Sequence, residues 1–207
     1  HLKKAVLKVL GIEPLLLAEM EAIHWKLAGT DVSLRSLVEG ALSAIAVTVG
    51  ALWISAAIEA RLREDKGKEI KAVCFLHNET STGCLSPVAE IRKAIDRAGH
   101  PALLMVDTIS SLASTDYRHD EWGVDVTVGG AQKGLMLPPG MSFNAVSDKA
   151  LAANKTSKLT KSFWAWDEML TMNKVGFFPY TPATQMLQGL AVSIEMLHEE
   201  GLDNVFA

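Results

Sequence analysis

A lysine and an aspartate near the ends of two apolar runs are the residues of this sequence best suited to chemistry. Lys133 lies in the stretch 129–134 (GGAQKG), and Asp107 directly follows the apolar residues 103–106 (LLMV). A lysine amine can form an imine with an aldehyde, and a carboxylate beside a ring nitrogen keeps that nitrogen protonated. Taken singly, a lysine after a strand is most often a solvated surface residue. The pair indicates imine chemistry only together with its surroundings.

Pyridoxal phosphate is the cofactor whose chemistry needs both groups. Its aldehyde forms a Schiff base with a lysine, and its protonated pyridine ring takes up electrons from a substrate carbanion. Once substrate displaces the lysine, the free amine can move a proton between the substrate carbon and the cofactor carbon. Lys133 is therefore a candidate for the imine-forming residue and Asp107 for the partner of the pyridine nitrogen, while a solvated lysine stays the alternative at this point.

Composition excludes several classes of function. The chain has 207 residues, of which 49% are hydrophobic and 21% charged, enough for one substantial core or two small ones. Because the formal net charge is -4 and no long basic block is present, we expect no nucleic-acid partner. Cys74 and Cys84 match neither a disulfide framework nor a paired metal-ligand motif, so we expect a reducing compartment and no metal. Since the sequence begins at His1 without a signal-peptide pattern, we expect it to be cut from a longer protein.

One uncharged stretch, residues 40–58, raises the question of a membrane span. A spanning helix needs about 20 predominantly apolar residues. This stretch is rich in alanine and includes Ser43, Thr48 and Ser55, so it is less hydrophobic than a typical span. We therefore expect a buried helix or strand and no membrane partner. Trp53, inside the stretch, is predicted to be a core residue rather than a platform for a cofactor ring.

The rest of the chain alternates predicted strands with predicted helices. Apolar runs indicate strands at residues 72–76, 102–106, 124–128 and 142–146. The first strand leads into the polar loop 77–83, the second ends at Asp107, and the third ends at the lysine turn. In an open, mostly parallel sheet, ligands bind outside the carboxyl ends of the strands. We therefore expect Thr80, Asp107 and Lys133 to converge on one edge.

A helix is predicted directly after the polar loop. Ser86 is the expected cap, Pro87 the first helical residue and Gly99 the stop. The expected buried face consists of Val88, Ile91, Ile95 and Ala98. The spacing of these apolar residues is that of one helical face, so the helix should pack on the sheet.

A second, longer helix is predicted over residues 184–200, with Gly201 as its stop. Its expected buried face consists of Leu187, Leu190, Ala191, Ile194 and Leu197. Residues 149–161 are basic and expected to be exposed, and the segments 5–10 and 14–23 read as helical. The remainder of the first 57 residues fits no sharp pattern.

Four segments together resemble a known family. They are residues 77–83 (HNETSTG), 106–112 (VDTISSL), 130–134 (GAQKG) with 138–140 (PPG), and 179–182 (PYTP). In this order and spacing, they resemble class V pyridoxal-phosphate aminotransferases, specifically the serine-glyoxylate and alanine-glyoxylate group. The resemblance runs from about residue 58 to residue 207.

The resemblance implies an α/β fold, the large domain of fold-type-I pyridoxal-phosphate transferases, with a mostly parallel sheet and helices on both faces. Residues 58–207 would form the cofactor-binding core, and residues 1–57 an N-terminal segment packed on it. The expected reaction is transamination between the amino acid serine or alanine and the 2-oxo acid glyoxylate. The chain is expected to be incomplete at both ends, without the small C-terminal domain that supplies an arginine for the substrate carboxylate.

The resemblance also assigns roles to residues. Lys133 is similar to the Schiff-base lysine and Asp107 to the partner of the pyridine nitrogen. Thr80 is similar to a hydroxyl residue that touches the cofactor ring, and Gln132 to a contact of the cofactor phosphate. Thr181 is similar to a residue that reaches the cofactor phosphate of the neighbouring subunit, which implies a homodimer with shared sites.

The sequence departs from the family pattern at several places. A glycine-rich turn for the cofactor phosphate is expected upstream, and Gly29 marks the nearest candidate without the expected neighbours. Gly129 and Ala131 stand where relatives usually carry serines. Each change removes a hydroxyl near the cofactor while leaving the lysine in place.

Two alternatives remain at this point. A cysteine desulfurase or related lyase would share the aspartate and lysine, but such enzymes usually show histidine before the lysine, where this chain has Gln132. A catalytically silent chain would retain only fold and dimer contacts. His77 is left open between a supporting role in the site and a satisfied hydrogen bond. The expected compartment is the cytoplasm, or the peroxisome in a eukaryote.

Overall fold

The computed structural model describes residues 24–27 and 30–207. The chain divides into two compact units, residues 1–57 and 58–207. Each unit is described separately below.

The first unit contains a short hairpin and most of a long helix. Strands β1 (His24–Leu27) and β2 (Thr30–Ser33) pair antiparallel. Helix α1 (Leu34–Glu64) follows directly, and the division between the units falls inside it. The predicted helical segments 5–10 and 14–23 lie outside the described residues.

The predicted burial of residues 40–58 is wrong for the large apolar side chains between Val49 and Trp53, although Ser55 is buried at 3% exposure. The stretch is helical, but Trp53 is 73% exposed, Leu52 60% and Val49 59%. These three residues lie at helical spacing, so they form one apolar stripe that faces solvent. The sequence shows that such a stripe is apolar, but it does not show whether another element packs on it. No helix in the described part of the chain has the length and apolar character needed to cross a membrane.

The second unit is built on a four-stranded sheet. Its strands and those of a small hairpin are, in chain order, β3 (Ala72–Leu76), β4 (Asn78–Glu79), β5 (Cys84–Leu85), β6 (Leu103–Asp107), β7 (Val126–Gly130) and β8 (Ser142–Val146). The order in the sheet is β3-β6-β7-β8, with the first three strands parallel and β8 antiparallel to β7. The carboxyl ends of the three parallel strands therefore meet at one edge.

Three predicted strands are confirmed and one is shifted. The strands at 72–76 and 142–146 are as predicted, and β6 begins and ends one residue later than predicted. The strand predicted at 124–128 begins two residues later and continues to Gly130, because Gly129 and Gly130 pair with β8. Glycines weaken a strand signal in sequence, although here the antiparallel partner extends the pairing through them.

The helices of the second unit connect and flank these strands. After α1 they are α2 (Val88–Arg97), α3 (Asp148–Thr156), α4 (Trp166–Asn173), α5 (Thr184–Glu200) and α6 (Leu202–Val205), with a 3-10 turn at Ser162–Trp164. The prediction of α2 and its stop is confirmed, since Gly99 has a φ of 59°. The predicted cap is wrong: no side chain caps α2, and the Ser86 backbone N–H donates to the His77 carbonyl at 2.8 Å.

The core lies between α2 and one face of the sheet. Leu104 and Val106 on β6 are at most 1% exposed. They pack in one cluster with Val88, Ile91 and Ile95 of α2, with Leu62 near the end of α1, and with Val124. The predicted buried face of α2 is therefore confirmed, with Ala98 partly buried against the same cluster. Full burial of each such side chain contributes about 1.5–3 kcal/mol.

The opposite face of the sheet is open beside β3. Cys74 is exposed and Leu76 is 45% exposed. With Met105, Asp107 and Val128 they help to line a cavity of about 250 Å³. Alternation along the strands places the Asp107 side chain on this open face, because Val106 points into the core.

Helix α5 has the predicted bounds, and Gly201 ends it with a φ of 83°. Its predicted buried face is partly wrong. Leu197 is buried as predicted, but Ala191 is exposed and Ile194 is 41% exposed. Ser193 is buried instead, because its hydroxyl donates to the Leu135 carbonyl at 2.6 Å. Because the prediction used only the spacing of apolar residues, it could not identify a buried serine.

The basic segment 149–161 is mostly exposed, as predicted, and Lys149, Lys155 and Lys158 all lie at the surface. Helix α3 buries Ala150 and Asn154. Lys149 donates to the Ala102 carbonyl at 2.9 Å, and Lys161 donates to the Asn154 carbonyl at 3.1 Å. Two of the lysines thus also tie this segment to neighbouring backbone.

Candidate active site

The lysine turn, residues 131–137, begins where β7 ends. The fully buried Ala131 anchors it: its backbone N–H donates to the Met141 carbonyl at 3.1 Å, and its carbonyl accepts from the Leu137 N–H at 3.1 Å. The Met136 N–H donates to the Lys133 carbonyl at 2.8 Å and closes the tip of the turn. Lys133 lies exposed at this tip. The turn is therefore fixed by its backbone, and the lysine side chain projects from it.

Gly134 packs against the loop that follows β6. A Cβ at this position would lie 2.2 Å from the Leu112 carbonyl oxygen and 2.5 Å from Ser114 Oγ. Ala113, between those two residues, has a φ of 57°, an unusual conformation for a residue with a side chain. The lysine turn and this loop thus interlock at a point where only glycine fits.

Asp107 ends β6 on the open face of the sheet. Its Oδ1 accepts a hydrogen bond from the Ile109 N–H at 2.8 Å, which starts the loop 108–115. The buried Thr108 fixes the next step, because its N–H and hydroxyl both donate to the Val128 carbonyl, at 2.8 and 3.0 Å. Within the described residues, Oδ2 of Asp107 accepts no hydrogen bond. One carboxylate oxygen positions the loop, and the other is left without a hydrogen bond in the described part of the chain.

A serine connects two of the predicted site residues. The Ser110 hydroxyl lies 2.7 Å from Thr80 Oγ1 and accepts from Lys133 Nζ at 3.1 Å. Thr80 belongs to the turn between β4 and β5, where the Gly83 N–H donates to the Glu79 carbonyl at 2.7 Å. Hydrogen bonds from the Ser81 N–H and hydroxyl lower the pKa of the Glu79 carboxyl and stiffen the same turn. Three separate loops therefore meet at Ser110.

His77 is buried under the loop that carries Ser110 and hydrogen-bonds the next residue of that loop, Ser111. It is 3% exposed, its Nδ1 lies 2.9 Å from Ser111 Oγ, and its ring packs 5.0 Å from Tyr117 and 5.8 Å from Trp122. Burial lowers the pKa of His77 below its ordinary 6.5, and the charge of Asp116 offsets part of that effect. A neutral, buried and hydrogen-bonded imidazole fits the satisfied-histidine interpretation.

The structure brings together some of the predicted site residues and not others. Thr80 and Lys133 meet through Ser110, and Asp107 begins the loop that carries this serine. Gln132 is exposed beside Lys133, and Thr181 is exposed in the segment before α5. Among the described residues, no hydrogen bond joins either of these two to the other predicted site residues. No group of histidine, cysteine, aspartate or glutamate side chains in the described part of the chain is arranged to hold a metal ion.

Ser110 is the site residue that sequence reasoning missed. It lies inside the motif 106–112, where attention fell on the aspartate. The sequence feature that could have indicated it is the pair of serines, Ser110 and Ser111, shortly after a strand that ends in a carboxylate. The sequence does not show that one of them faces His77 and the other faces the lysine.

Comparison with known proteins identifies the family. The family model described as Aminotransferase class-V matches residues 50–207. The chain therefore belongs to the class-V aminotransferase family, which implies pyridoxal phosphate as the cofactor.

Three relatives show the extent of the similarity. The serine-glyoxylate aminotransferase of Hyphomicrobium methylovorum is 56% identical over 148 residues, 70% of this chain and 36% of that protein. The L-aspartate-glyoxylate aminotransferase of Paracoccus denitrificans is 49% identical over 146 residues, 70% of this chain and 37% of that protein. The solved pyridoxamine-pyruvate aminotransferase from Mesorhizobium loti superposes with a TM-score of 0.65 at 26% identity, over 73% of this chain and 38% of that one.

These similarities confirm the predicted family, its serine-glyoxylate group and the fold class. The fold is α/β with a mostly parallel sheet, as in the fold-type-I aminotransferases among the solved structures. The chain spans little more than a third of the length of the relatives it matches, between 36% and 38% in these three.

Proposed function

We propose that this chain carries the cofactor-attachment site of an enzyme that transfers an amino group between serine or alanine and glyoxylate. The observation that supports this most is the link Lys133–Ser110–Thr80 beside Asp107, at the carboxyl ends of parallel strands. Similarity to a serine-glyoxylate aminotransferase at 56% identity supports the reaction. Residues 58–207 are the cofactor-binding core in this proposal, and residues 1–57 a segment that accompanies it.

The donor set fits pyridoxal phosphate. Asp107 keeps one carboxylate oxygen without a hydrogen bond among the described residues, and the residue lines the cavity on the open side of the sheet. A carboxylate there can hold the proton of a pyridinium nitrogen. When bound, the cofactor supplies an electron sink for a carbanion at the substrate carbon.

Each remaining residue has a defined task. Lys133 is the point of covalent attachment, and its Nζ accepts and returns the proton of the substrate carbon once substrate has displaced it. Thr80 presents a hydroxyl to the cofactor ring. Gln132, exposed next to the lysine, is assigned to the cofactor phosphate.

A second copy of the chain completes the site in this proposal. An aromatic surface of exposed apolar residues precedes α5: Leu159, Phe163, Trp164, Val175, Phe177, Phe178 and Tyr180. Trp164 is 79% exposed and Leu159 81%. Exposed apolar clusters of this kind mark interaction surfaces, and aromatic residues are enriched at protein interfaces. Thr181 directly follows this aromatic surface, which supports its assignment to the cofactor phosphate of the neighbouring subunit in a homodimer.

The proposed compartment is the cytoplasm. Both Cys74 and Cys84 are exposed free thiols, and such thiols persist in reducing surroundings.

Turnover tests the proposed reaction. The chain is supplied with pyridoxal phosphate and glyoxylate, and with serine, alanine or aspartate in turn, and glycine formation is measured. Lys133→Met, which lacks the amine, is the matched control. We expect glycine with serine or alanine and none with the variant. Glycine formation no greater than that of Lys133→Met would overturn the proposed reaction for this chain, whereas the attachment site is tested separately by the adduct on Lys133. Sulfide release from cysteine would instead favour a lyase.

A further inference from the structure

Ser110 occupies the point at which the three loops of the site meet. Its hydroxyl is 3.1 Å from Lys133 Nζ and 2.7 Å from Thr80 Oγ1. It is the one residue of the described part of the chain whose side chain hydrogen-bonds both of these predicted site residues. Ser110 itself is partly buried, and both of its hydrogen bonds lie at the exposed edge of the site.

We propose that Ser110 is a positioning residue, which holds the Lys133 amine and orients the Thr80 hydroxyl before the cofactor binds. This proposal rests on the assignment of Lys133 as the attachment lysine. Ser110 itself does not take part in the bond-forming step.

The bonding capacity of the lysine amine sets the direction of its hydrogen bond to Ser110. A protonated lysine amine has three donors and no acceptor, so Ser110 Oγ accepts from Lys133. Ser110 keeps its own hydrogen and can donate it to Thr80 Oγ1, although either oxygen can be the donor in that bond. When Ser110 donates, Thr80 keeps its own hydrogen for the cofactor ring that it is proposed to touch.

Pre-organisation is the advantage of this arrangement. A lysine side chain has several rotatable bonds, and fixing them costs conformational entropy. Because Lys133 is exposed, packing alone does not restrict it. The bond to Ser110 restricts the amine when the chain folds, so less ordering is left for the moment of cofactor binding.

Ser110 can perform this task because its own position is fixed independently. On one side, the Ile109 N–H is bonded to Asp107 Oδ1 at 2.8 Å. On the other side, Ser111 is bonded through its N–H to the Thr108 carbonyl at 3.0 Å. Loss of the Ser110 hydroxyl should therefore release the lysine without releasing the loop.

Amine labelling in the cofactor-free chain tests this proposal. Each lysine is acetylated by trace acetic anhydride across a range of pH, and the rate at Lys133 is compared with that at the exposed Lys174 by peptide mass spectrometry. Ser110→Ala removes an acceptor from the amine, so we expect labelling of Lys133 to rise about three- to tenfold, the worth of one hydrogen bond. Ser110→Thr keeps a hydroxyl and should restore the slow rate.

Ser81→Ala is the matched control, because its hydroxyl lies in the same turn as Thr80 but bonds Glu79. It should leave Lys133 labelling unchanged. An unchanged rate in a folded Ser110→Ala chain would overturn the proposal, as would an equal rise in Ser81→Ala.

Nitrogen-labelled lysine NMR of the unmodified chain covers the case in which Ser110→Ala does not fold. The Lys133 signal is assigned by its absence in Lys133→Met. Its ammonium hydrogens should exchange with water several-fold more slowly than those of Lys174, and equal exchange would overturn the proposal. Neither experiment contains pyridoxal phosphate, so failure of cofactor attachment and failure of the Ser110 link are separately visible.

Discussion

The loops at the strand ends and the aromatic surface differ in how far their side chains are in contact with the rest of the chain. In the loops, defined as residues 77–83, 107–115 and 131–137, polar side chains bond one another or the backbone, and Ala131 and Thr108 are fully buried. In the aromatic surface, large apolar side chains are exposed, with Trp164 at 79%. In the first region, most of the polar groups that form the site are hydrogen-bonded within the chain, with Asp107 Oδ2 as an exception. The second leaves apolar area uncovered, as a surface that awaits another molecule does.

This contrast separates the residues that would attach the cofactor from the surface on which a second subunit would complete the site. The lysine, the aspartate and the threonine are positioned by bonds that this chain makes alone. Thr181, the residue assigned to a neighbouring subunit, lies next to the uncovered surface and bonds none of them. Substitutions in the loops should therefore act on stability, and those on the aromatic surface on association.

Gly134→Ala should have the largest effect. A Cβ 2.2 Å from the Leu112 carbonyl oxygen forces backbone to move, which we expect to cost about 3 kcal/mol of unfolding free energy or more. Urea denaturation measures it. Gly50→Ala is the control, because nothing lies within 4 Å of a Cβ there and α1 should gain up to about 1 kcal/mol. Equal stability of Gly134→Ala and the unmodified chain would show that the interlock is absent.

Ser193→Ala should have the next largest effect. It leaves the buried Leu135 carbonyl, at the end of the lysine turn, without its 2.6 Å hydrogen bond from α5. We expect a loss of about 1–2 kcal/mol in the same denaturation measurement. Val192→Ala on the exposed side of the helix should change stability by less than about 0.5 kcal/mol. Because alanine itself favours helix, an equal loss in both variants would point to a general disturbance of α5 rather than to this bond.

His77→Gln should change the pH dependence of stability. Because burial lowers the pKa of His77 in the folded chain, the unfolded chain takes up the proton first as pH falls below about 6.5. Stability should therefore decline from that pH down to the lower folded-state pKa, and the decline should be shallower in His77→Gln. Denaturation at a series of pH values measures the slope. His198→Gln, an exposed site, should keep the original slope; equal slopes in all three chains would rule out this role for His77.

Trp164→Ser should have the smallest effect on stability and a clear effect on assembly. Since this side chain is 79% exposed, we expect a change in unfolding free energy within about 0.5 kcal/mol. Sedimentation analysis should show weaker self-association than in the unmodified chain. Unaltered self-association would show that the aromatic surface is not the dimer contact. A large loss of unfolding free energy would show that Trp164 packs against other residues of the same chain.

The sequence predicted the frame of the site well because its signals are local. Strand β3, the end of β6 at Asp107 and the stop of α2 at Gly99 all follow from short apolar runs and a glycine. Strand β7 was displaced by two residues because its last residues, Gly129 and Gly130, owe their strand conformation to pairing with β8. That pairing is a tertiary effect and leaves no local signature.

What the sequence did not predict depends on contacts between distant residues. Ser110 gains its significance from Thr80, thirty positions away, and from Lys133, twenty-three positions away. Ser193 is buried through a bond to Leu135, fifty-eight positions away, against the apolar pattern of its helix. The exposure of Trp53 likewise depends on whether another element packs on its helix, which the amino-acid composition of the helix does not show.

Mapping of the cofactor adduct tests the central claim most directly. The chain is mixed with pyridoxal phosphate, the lysine linkage is reduced with borohydride, and the modified peptide is identified by mass spectrometry. We expect the adduct on Lys133, with none on that peptide in Lys133→Met and weaker formation in Asp107→Ala. No adduct, or an adduct spread over other exposed lysines such as Lys174, would contradict the assignment of Lys133 as the attachment site.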